Sequence, residues 1–286
     1  VAMIGMMVVP SAYSEVPPPF EKTIFSGCGS SYSFELDSQN SIFIPAGNSD
    51  LCKITSSGEI TTLNFSDSLV FNSYQNLHID NNDNIFLVSG TYSHYAIHKF
   101  AQSGLPLLNF DLINNLDQIF GSISDITTDN VVNIYVLGSV YNENDVYQDT
   151  IFKFNQAGIF LETLDLPPAE SNSMKELASD SSGNIYYNLR TVDGMNFHIN
   201  KILPNGNIIT VVEDQNLACL LDIEIDSTGN IYVATNPNCT DTSSAKYDPN
   251  GELLFKFETN PKPQHQNLIN IEIGSDGKIY AVQENT

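Results

Sequence analysis

Asp180-Ser181-Ser182-Gly183-Asn184-Ile185-Tyr186 and Asp226-Ser227-Thr228-Gly229-Asn230-Ile231-Tyr232 are near-copies of each other, and their reading decides the fold. Each ends a strand in an acid, makes a tight turn, and restarts as Asn-Ile-aromatic, a β-rich run. The pattern recurs as Ile79-Asp80-Asn81-Asn82-Asp83-Asn84-Ile85-Phe86-Leu87 and as Asp129 to Val136, closing on Asn133-Ile134-Tyr135-Val136. Gly274-Ser275-Asp276-Gly277-Lys278-Ile279-Tyr280 is a last copy, and Asp37 to Phe43 a looser first one. Successive copies lie about 43 to 51 residues apart, the length of a four-stranded repeat unit.

A second signature follows each of the first five copies, a Lys with a Gly five positions on. It reads Lys53…Gly58, Lys99…Gly104, Lys153…Gly158, Lys201…Gly206 and Lys246…Gly251. In Lys246-Tyr247-Asp248-Pro249-Asn250-Gly251 a strand ends, Asp-Pro-Asn-Gly supplies turn dihedrals, and a new strand begins. In that strand Leu253, Phe255 and Phe257 alternate with Leu254, Lys256 and Glu258. Each unit is therefore strand a, tight turn, strand b, variable loop, strand c, tight turn, strand d. No segment carries a helical period. The fold expected is all-β, a six-bladed β-propeller of four-stranded antiparallel blades, with the last blade completed by N-terminal strands.

Composition agrees. Of 286 residues, 41% are hydrophobic and only 16% charged, so a large core can be buried. Thirty-four acidic residues face eleven basic ones, a formal charge of −23. That balance excludes nucleic acid, whose phosphates need clustered Lys and Arg, and excludes an anionic membrane surface. Acidity serves solubility first; cation binding between acidic loops is the sharper alternative.

Residues 1–19 read as an N-terminal apolar strand and a Pro-rich connector, and 20–286 as one propeller domain. Val1–Val9 is apolar but too short to cross a bilayer, and Ala12-Tyr13-Ser14 resembles a secretion cleavage region. The sixth unit supplies only its a strand and its b strand, around Ile279 to Val282. Ala2 to Val9 then falls where a c strand is needed and Phe20 to Phe25 where a d strand is needed. Two other arrangements stand beside intrachain closure: loss of Val1–Ser14 by cleavage, or donation of Ala2–Val9 to a neighbouring copy, which propagates a filament unless the rotation closes.

Four cysteines permit three pairings. Cys28 precedes the first a strand and Cys52 lies early in the c strand of the same unit; Cys219 and Cys239 hold comparable places in the fifth. The start of a and the end of b are neighbours in an antiparallel hairpin, so the repeat predicts Cys28–Cys52 and Cys219–Cys239. Each contributes about 3 kcal/mol on the loop-entropy account, and paired cysteines point to an oxidising compartment. A zinc site is not expected.

The Asp-x-x-Gly-Asn-Ile-Tyr and Lys-Phe-Asp-x-x-Gly signatures resemble those of NHL-repeat propellers and their secreted relatives, over roughly residues 31 to 286. The resemblance implies architecture and not activity, because propellers of this kind include binding modules, scaffolds and enzymes.

Candidate chemistry is sparse. Asp80-x-Asn82-x-Asn84 resembles the start of a Ca²⁺ loop, but the repeated acids Asp80, Asp129, Asp180 and Asp226 are sufficient as hairpin-turn residues. His98 and His198 occupy equivalent c-strand positions, which suits structure. No nucleophile elbow or Ser-His-acid set is readable. Binding is expected on the b–c loops, where lengths vary: Tyr92, His94 and Tyr95 in one, Tyr141 and Tyr147 in the long stretch between Leu137 and Thr150, and Arg190 with Asp193 in another. The expected function is that of a secreted or cell-surface, non-catalytic propeller. Its partner is a protein or glycan ligand or copies of itself, and filament assembly through the N-terminal strand is one form of this. No cofactor and no membrane span are expected. The alternative is a Ca²⁺-dependent lactonase-, hydrolase- or lyase-like enzyme.

Overall fold

The computed structural model of the protein describes every residue except 1–2, 8–19, 26–27, 29–32, 47–48, 66–73, 92–93, 113–119, 142–146, 165, 167–175, 191–196, 215–219, 236–243, 258–265 and 286. The strands fall in chain order. β1 (Met3–Met7) and β2 (Phe20–Phe25) come first. The first complete blade is β3 (Glu35–Leu36), β4 (Ile42–Pro45), β5 (Asp50–Ile54) and β6 (Ile60–Asn64). The second is β7 (Tyr74–Ile79), β8 (Ile85–Thr91), β9 (His94–Phe100) and β10 (Pro106–Asp111). The third is β11 (Phe120–Thr128), β12 (Ile134–Tyr141), β13 (Tyr147–Phe154) and β14 (Phe160–Thr163). The fourth is β15 (Leu177–Ser179), β16 (Ile185–Arg190), β17 (Phe197–Ile202) and β18 (Ile208–Asp214). The fifth is β19 (Leu220–Ile225), β20 (Ile231–Thr235), β21 (Ser244–Tyr247) and β22 (Leu253–Phe257), and the chain ends in β23 (Gln266–Ile273) and β24 (Ile279–Asn285).

Five four-stranded antiparallel sheets are thus contiguous stretches of chain, each pairing its strands in sequence order. A further four-stranded sheet is composite, in the order β2-β1-β24-β23. There β1 pairs with β24 of its own chain, Met3↔Gln283 through Met7↔Ile279, and with β2 on its other side. Ala2 and Val9 lie outside the described residues.

The core explains why the sheets stand side by side. Each hydrophobic cluster lies between two neighbouring sheets and not within one. Phe43, Leu51 and Phe65 of the first blade meet Leu77, Leu87 and Phe100 of the second. Tyr232 and Phe257 of the fifth meet Ile271 and Ala281 of the composite sheet, whose other face carries Tyr280 and Val282 against Phe34 and Ile44 of the first. The first strands touch cyclically: β3 against β7, β7 against β11, and so on to β23, which returns to β3. They therefore enclose a central channel.

The repeated signatures turn out to be one structural device. Asp80 Oδ1 accepts the backbone N–H groups of Asn82 and Asn84, both at 2.9 Å, which fixes the a–b turn. Its other oxygen takes the Lys99 ammonium at 3.1 Å, and that ammonium lies 4.8 Å from the Phe86 ring centre. Asp37–Phe43–Lys53, Asp180–Tyr186–Lys201 and Asp226–Tyr232–Lys246 repeat the triad. The third blade departs from it. Lys153 still covers Tyr135 but pairs with Glu162, while the Tyr135 hydroxyl donates to Asp129 as Tyr186 and Tyr232 do to Asp180 and Asp226. The c–d turns need their glycines: Gly251 has φ +87° and a side chain there would strike the Val211 carbonyl.

Candidate functional site: the acidic central channel

The channel wall is read from offsets to the turn acids. Side chains on a strand alternate, so the residues two and four before each turn acid share a face. Two before stand Glu35, His78, Thr127, Ala178, Glu224 and Glu272. Four before stand Ser33, Asn76, Asp125, Glu176, Asp222 and Asn270. Register shifts occur in β7, β11, β19 and β23 just ahead of Asn76, Asp125, Asp222 and Asn270. Such a bulge re-aims the side chain that follows it.

The residues four before the turn bridge neighbouring blades. Asp125 accepts the Leu177 N–H at 2.6 Å, and Asp222 accepts the Ile271 N–H at 2.7 Å together with the Asn270 side-chain amide. Asn270 accepts the Phe34 N–H, and Asn76 donates to the Ser124 carbonyl. Each joins one blade to the next in chain direction. The inner edge of a sheet would otherwise present unpaired backbone groups, and these side chains satisfy it. In the other tier Glu35 accepts the Ile79 N–H at 3.2 Å and lies 3.8 Å from His78 Nδ1, while His78 Nε2 is 3.0 Å from Thr128 Oγ1.

Six carboxyls stand at these offsets, Glu35, Asp125, Glu176, Asp222, Glu224 and Glu272, and all of them except Glu176 act on one another electrostatically. Burial pushes Asp125 and Asp222 up to about 7, against the pull of their backbone hydrogen bonds. Burial first, and then repulsion from the other carboxyls, holds Glu224 and Glu272 well above the usual carboxylate range. Glu35 is raised by burial too, opposed by its bond to Ile79. Burial lowers His78 to about 4, so it carries no compensating charge at neutral pH. Glu35, Asp125 and Glu224 keep partial exposure, so solvent reaches the cluster.

Sequence reasoning singled out none of these channel carboxyls. The signal was present in Asp222-Ile223-Glu224 and in the fixed offset from each turn acid, but it becomes visible only once the a strands are known to face one another. The expected binding residues fare differently. Tyr95 is buried in the core between the second and third blades, because it pairs with Gly90 inside the β8–β9 ladder. His94 is exposed at the start of β9. The stretch from Leu137 to Thr150 is mostly ladder and not loop: β12 and β13 pair as far as Tyr141↔Tyr147, and Asp149 is buried against the Ser139 hydroxyl at 2.6 Å. Tyr92 and Asp193 lie outside the described residues, and Arg190 ends β16. Cys28–Cys52 is a disulfide, Cα to Cα 5.8 Å, whereas Cys219 and Cys239 lie outside the described residues. His98 is buried against the Ser89 hydroxyl and lowered to about 4 by burial, in keeping with a structural role.

No protein-family model and no curated protein matches the chain. Solved structures do. A streptogramin B lyase is similar over 89% of this chain and 93% of its own, at 13% identity and a TM-score of 0.50. A putative gluconolactonase is similar over 88% of each chain, at 10% identity and a TM-score of 0.54. A protein of unknown function from Bacteroides caccae is similar over 90% of this chain and 94% of its own, at 11% identity and a TM-score of 0.54. The fold is that of a β-propeller. At these identities the likeness carries architecture alone, and the propeller hosts lyases, lactonases and proteins of unknown role alike.

Among the described residues no three His, Cys, Asp or Glu side chains stand close enough to hold one metal ion. Asp125 and Asp222 each accept a backbone N–H group on both oxygens. No described helix is long and apolar enough to cross a membrane.

Proposed function

We propose that the protein is a secreted, non-catalytic propeller of the NHL-repeat type with six blades, which acts in binding and extracellular assembly, with β1 as the exchangeable element. One observation carries this. In four blades the second and third strands are tied by the Asp–aromatic–Lys triad, whereas in the composite sheet Gly274 replaces the acid and Met6 takes the register position of the lysine, opposite Tyr280. The third blade lacks the Asp–Lys pair but keeps its lysine over the ring, whereas the strand from the far end of the chain has neither acid nor lysine at these positions. A sheet with a removable third strand is a receptor for the same strand of another copy. The Cys28–Cys52 disulfide supports an oxidising, extracellular setting.

Gly5 and Ala281 are register partners, which gives a direct test. A chain carrying Gly5→Cys and Ala281→Cys, oxidised at rising concentration, is expected to give a ladder of covalent multimers on non-reducing gels. Cross-linking within single chains at every concentration would refute exchange.

The channel favours a second reading. Asp125 and Asp222, raised to about 7, suit general acid–base catalysis, which would make the protein a lactonase-, hydrolase- or lyase-like enzyme, the reading in which Ca²⁺ dependence is the alternative to be tested. Turnover of a lactone or ester that is lost in Asp222→Asn would support it.

A further inference from the structure

We propose that the central channel binds a linear aliphatic di- or polyamine, with one ammonium in each of its two carboxyl tiers. Asp125 and Asp222 form one tier, and Glu35, Glu224 and Glu272 the other. The tiers are two residues apart along their strands, a rise of about 7 Å. That separation is too wide for one metal ion and matches two ammonium groups joined by about four or five methylenes.

The cluster has a group with nothing to do. Glu272 is 8% exposed, and its carboxylate accepts no hydrogen bond among the described residues, unlike Asp125, Asp222 and Glu35. Its electrostatic neighbours are Glu224, Glu35, Asp222 and Asp125, which places it facing the other carboxyls. A carboxylate confined among other carboxyls is costly to ionise even where solvent reaches it, and a cation relieves it. No protein cation does so among the described residues. Lys53, Lys99, Lys201 and Lys246 pair with turn acids, Lys153 with Glu162 and Lys278 with Asp276, and Lys256 is exposed on β22. The raised proton affinity of the cluster is the same frustration seen from the proton's side, so an entering amine displaces protons.

The test is calorimetric titration of the full chain with 1,4-diaminobutane at pH 7 and low salt, with butylamine and CaCl₂ as comparators. One diamine is expected per chain, with proton release that shows as buffer-dependent heat. Butylamine should bind at least about tenfold more weakly, since it reaches one tier only. Glu272→Gln and Glu224→Gln should each weaken the diamine by about tenfold or more. Glu162→Gln, on the exposed face of β14, should leave it unchanged. The two channel variants remove a repelling charge, so both are expected to fold, and either one decides the matter. Equal loss in Glu162→Gln, or no loss in the channel variants, would mean only diffuse attraction to an acidic surface and overturn the site. Displacement of the diamine by stoichiometric Ca²⁺ would overturn it in favour of a metal. None of these readouts depends on chain assembly.

Discussion

The second blade and the composite sheet are built on the same strand order, yet they are held together differently. In the second blade Asp80 ties the a–b turn, the Phe86 ring and Lys99 of the third strand into one buried unit. In the composite sheet the corresponding Gly274 leaves no room for an acid, because a side chain there would meet Asn40 Oδ1 and the Tyr280 ring. That space is used sideways. The Ser275 N–H donates to Asn40 Oδ1 at 2.7 Å and its hydroxyl to the Ser38 carbonyl at 3.0 Å. The seam therefore gives up a tie between its own strands and gains one to the first blade. It keeps the ring closed while leaving β1 without the ionic tie.

The comparison can be broken first at its strong side. Asp80→Ala leaves the Lys99 ammonium and the two turn N–H groups without their acceptor, and is expected to lower the unfolding free energy by about 3–5 kcal/mol in urea titrations. Gly274→Asp, which restores the repeat consensus at the seam, is expected to destabilise as well, not to repair; a gain in stability would mean that the seam merely lacks a residue.

The channel offers a sharper and smaller effect. Groups whose folded-state pKa is raised contribute stability that is fully present below their unfolded pKa and is lost as pH rises through the folded value. Asp125 and Asp222 act in this sense between about pH 4 and 7, and the raised Glu35, Glu224 and Glu272 act in the same direction. His78 and His98, lowered to about 4, act oppositely over part of the same window but are two against five. Asp80, Asp180 and Asp226 are held below the usual carboxylate range, partly by hydrogen bonds and partly by their lysines, and they lose their contribution only as pH falls below about 4. Stability should thus rise as pH is lowered from 8 to 5. Glu272→Gln should flatten that slope and raise stability at pH 8 by about 1 kcal/mol or more, measured by denaturant titration at each pH. An unchanged slope would show that the carboxyls do not interact.

The smallest effect separates two lysines. Lys153 pairs with an acid whose side chain is 55% exposed, whereas Lys99 meets a fully buried one. Lys153→Met should cost no more than about 1 kcal/mol, and Lys99→Met about 3 kcal/mol or more, by the same denaturant measurement. Equal losses would assign the value of both to packing over the aromatic ring.

Much of this architecture could be read from the chain. The turn acids, the Asn-Ile-aromatic restarts and the spaced lysines each act within a few residues or across one hairpin, so their sequence pattern is their structure. The place of Phe20 to Phe25 beside a second N-terminal strand followed from counting strands. What escaped is whatever depends on closure. Glu35 and Glu224 are distant in sequence and become neighbours only because the first strands form a ring. Tyr95 resembled a ligand-facing aromatic because it flanks a loop of uncertain length, and two residues of extra ladder carry it into the core. The long stretch after Leu137 misled for the same reason: Asp149 looks like a solvated loop acid until Ser139 is known to lie across from it.

The bonds from Asp125, Asp222, Asn270 and Asn76 all run one way around the ring, each blade completing the inner edge of the next. A repeat protein of independent units can lose or gain a member at little cost to the rest. Here a unit so joined finishes its successor, so injury at one inner strand passes downstream to the next.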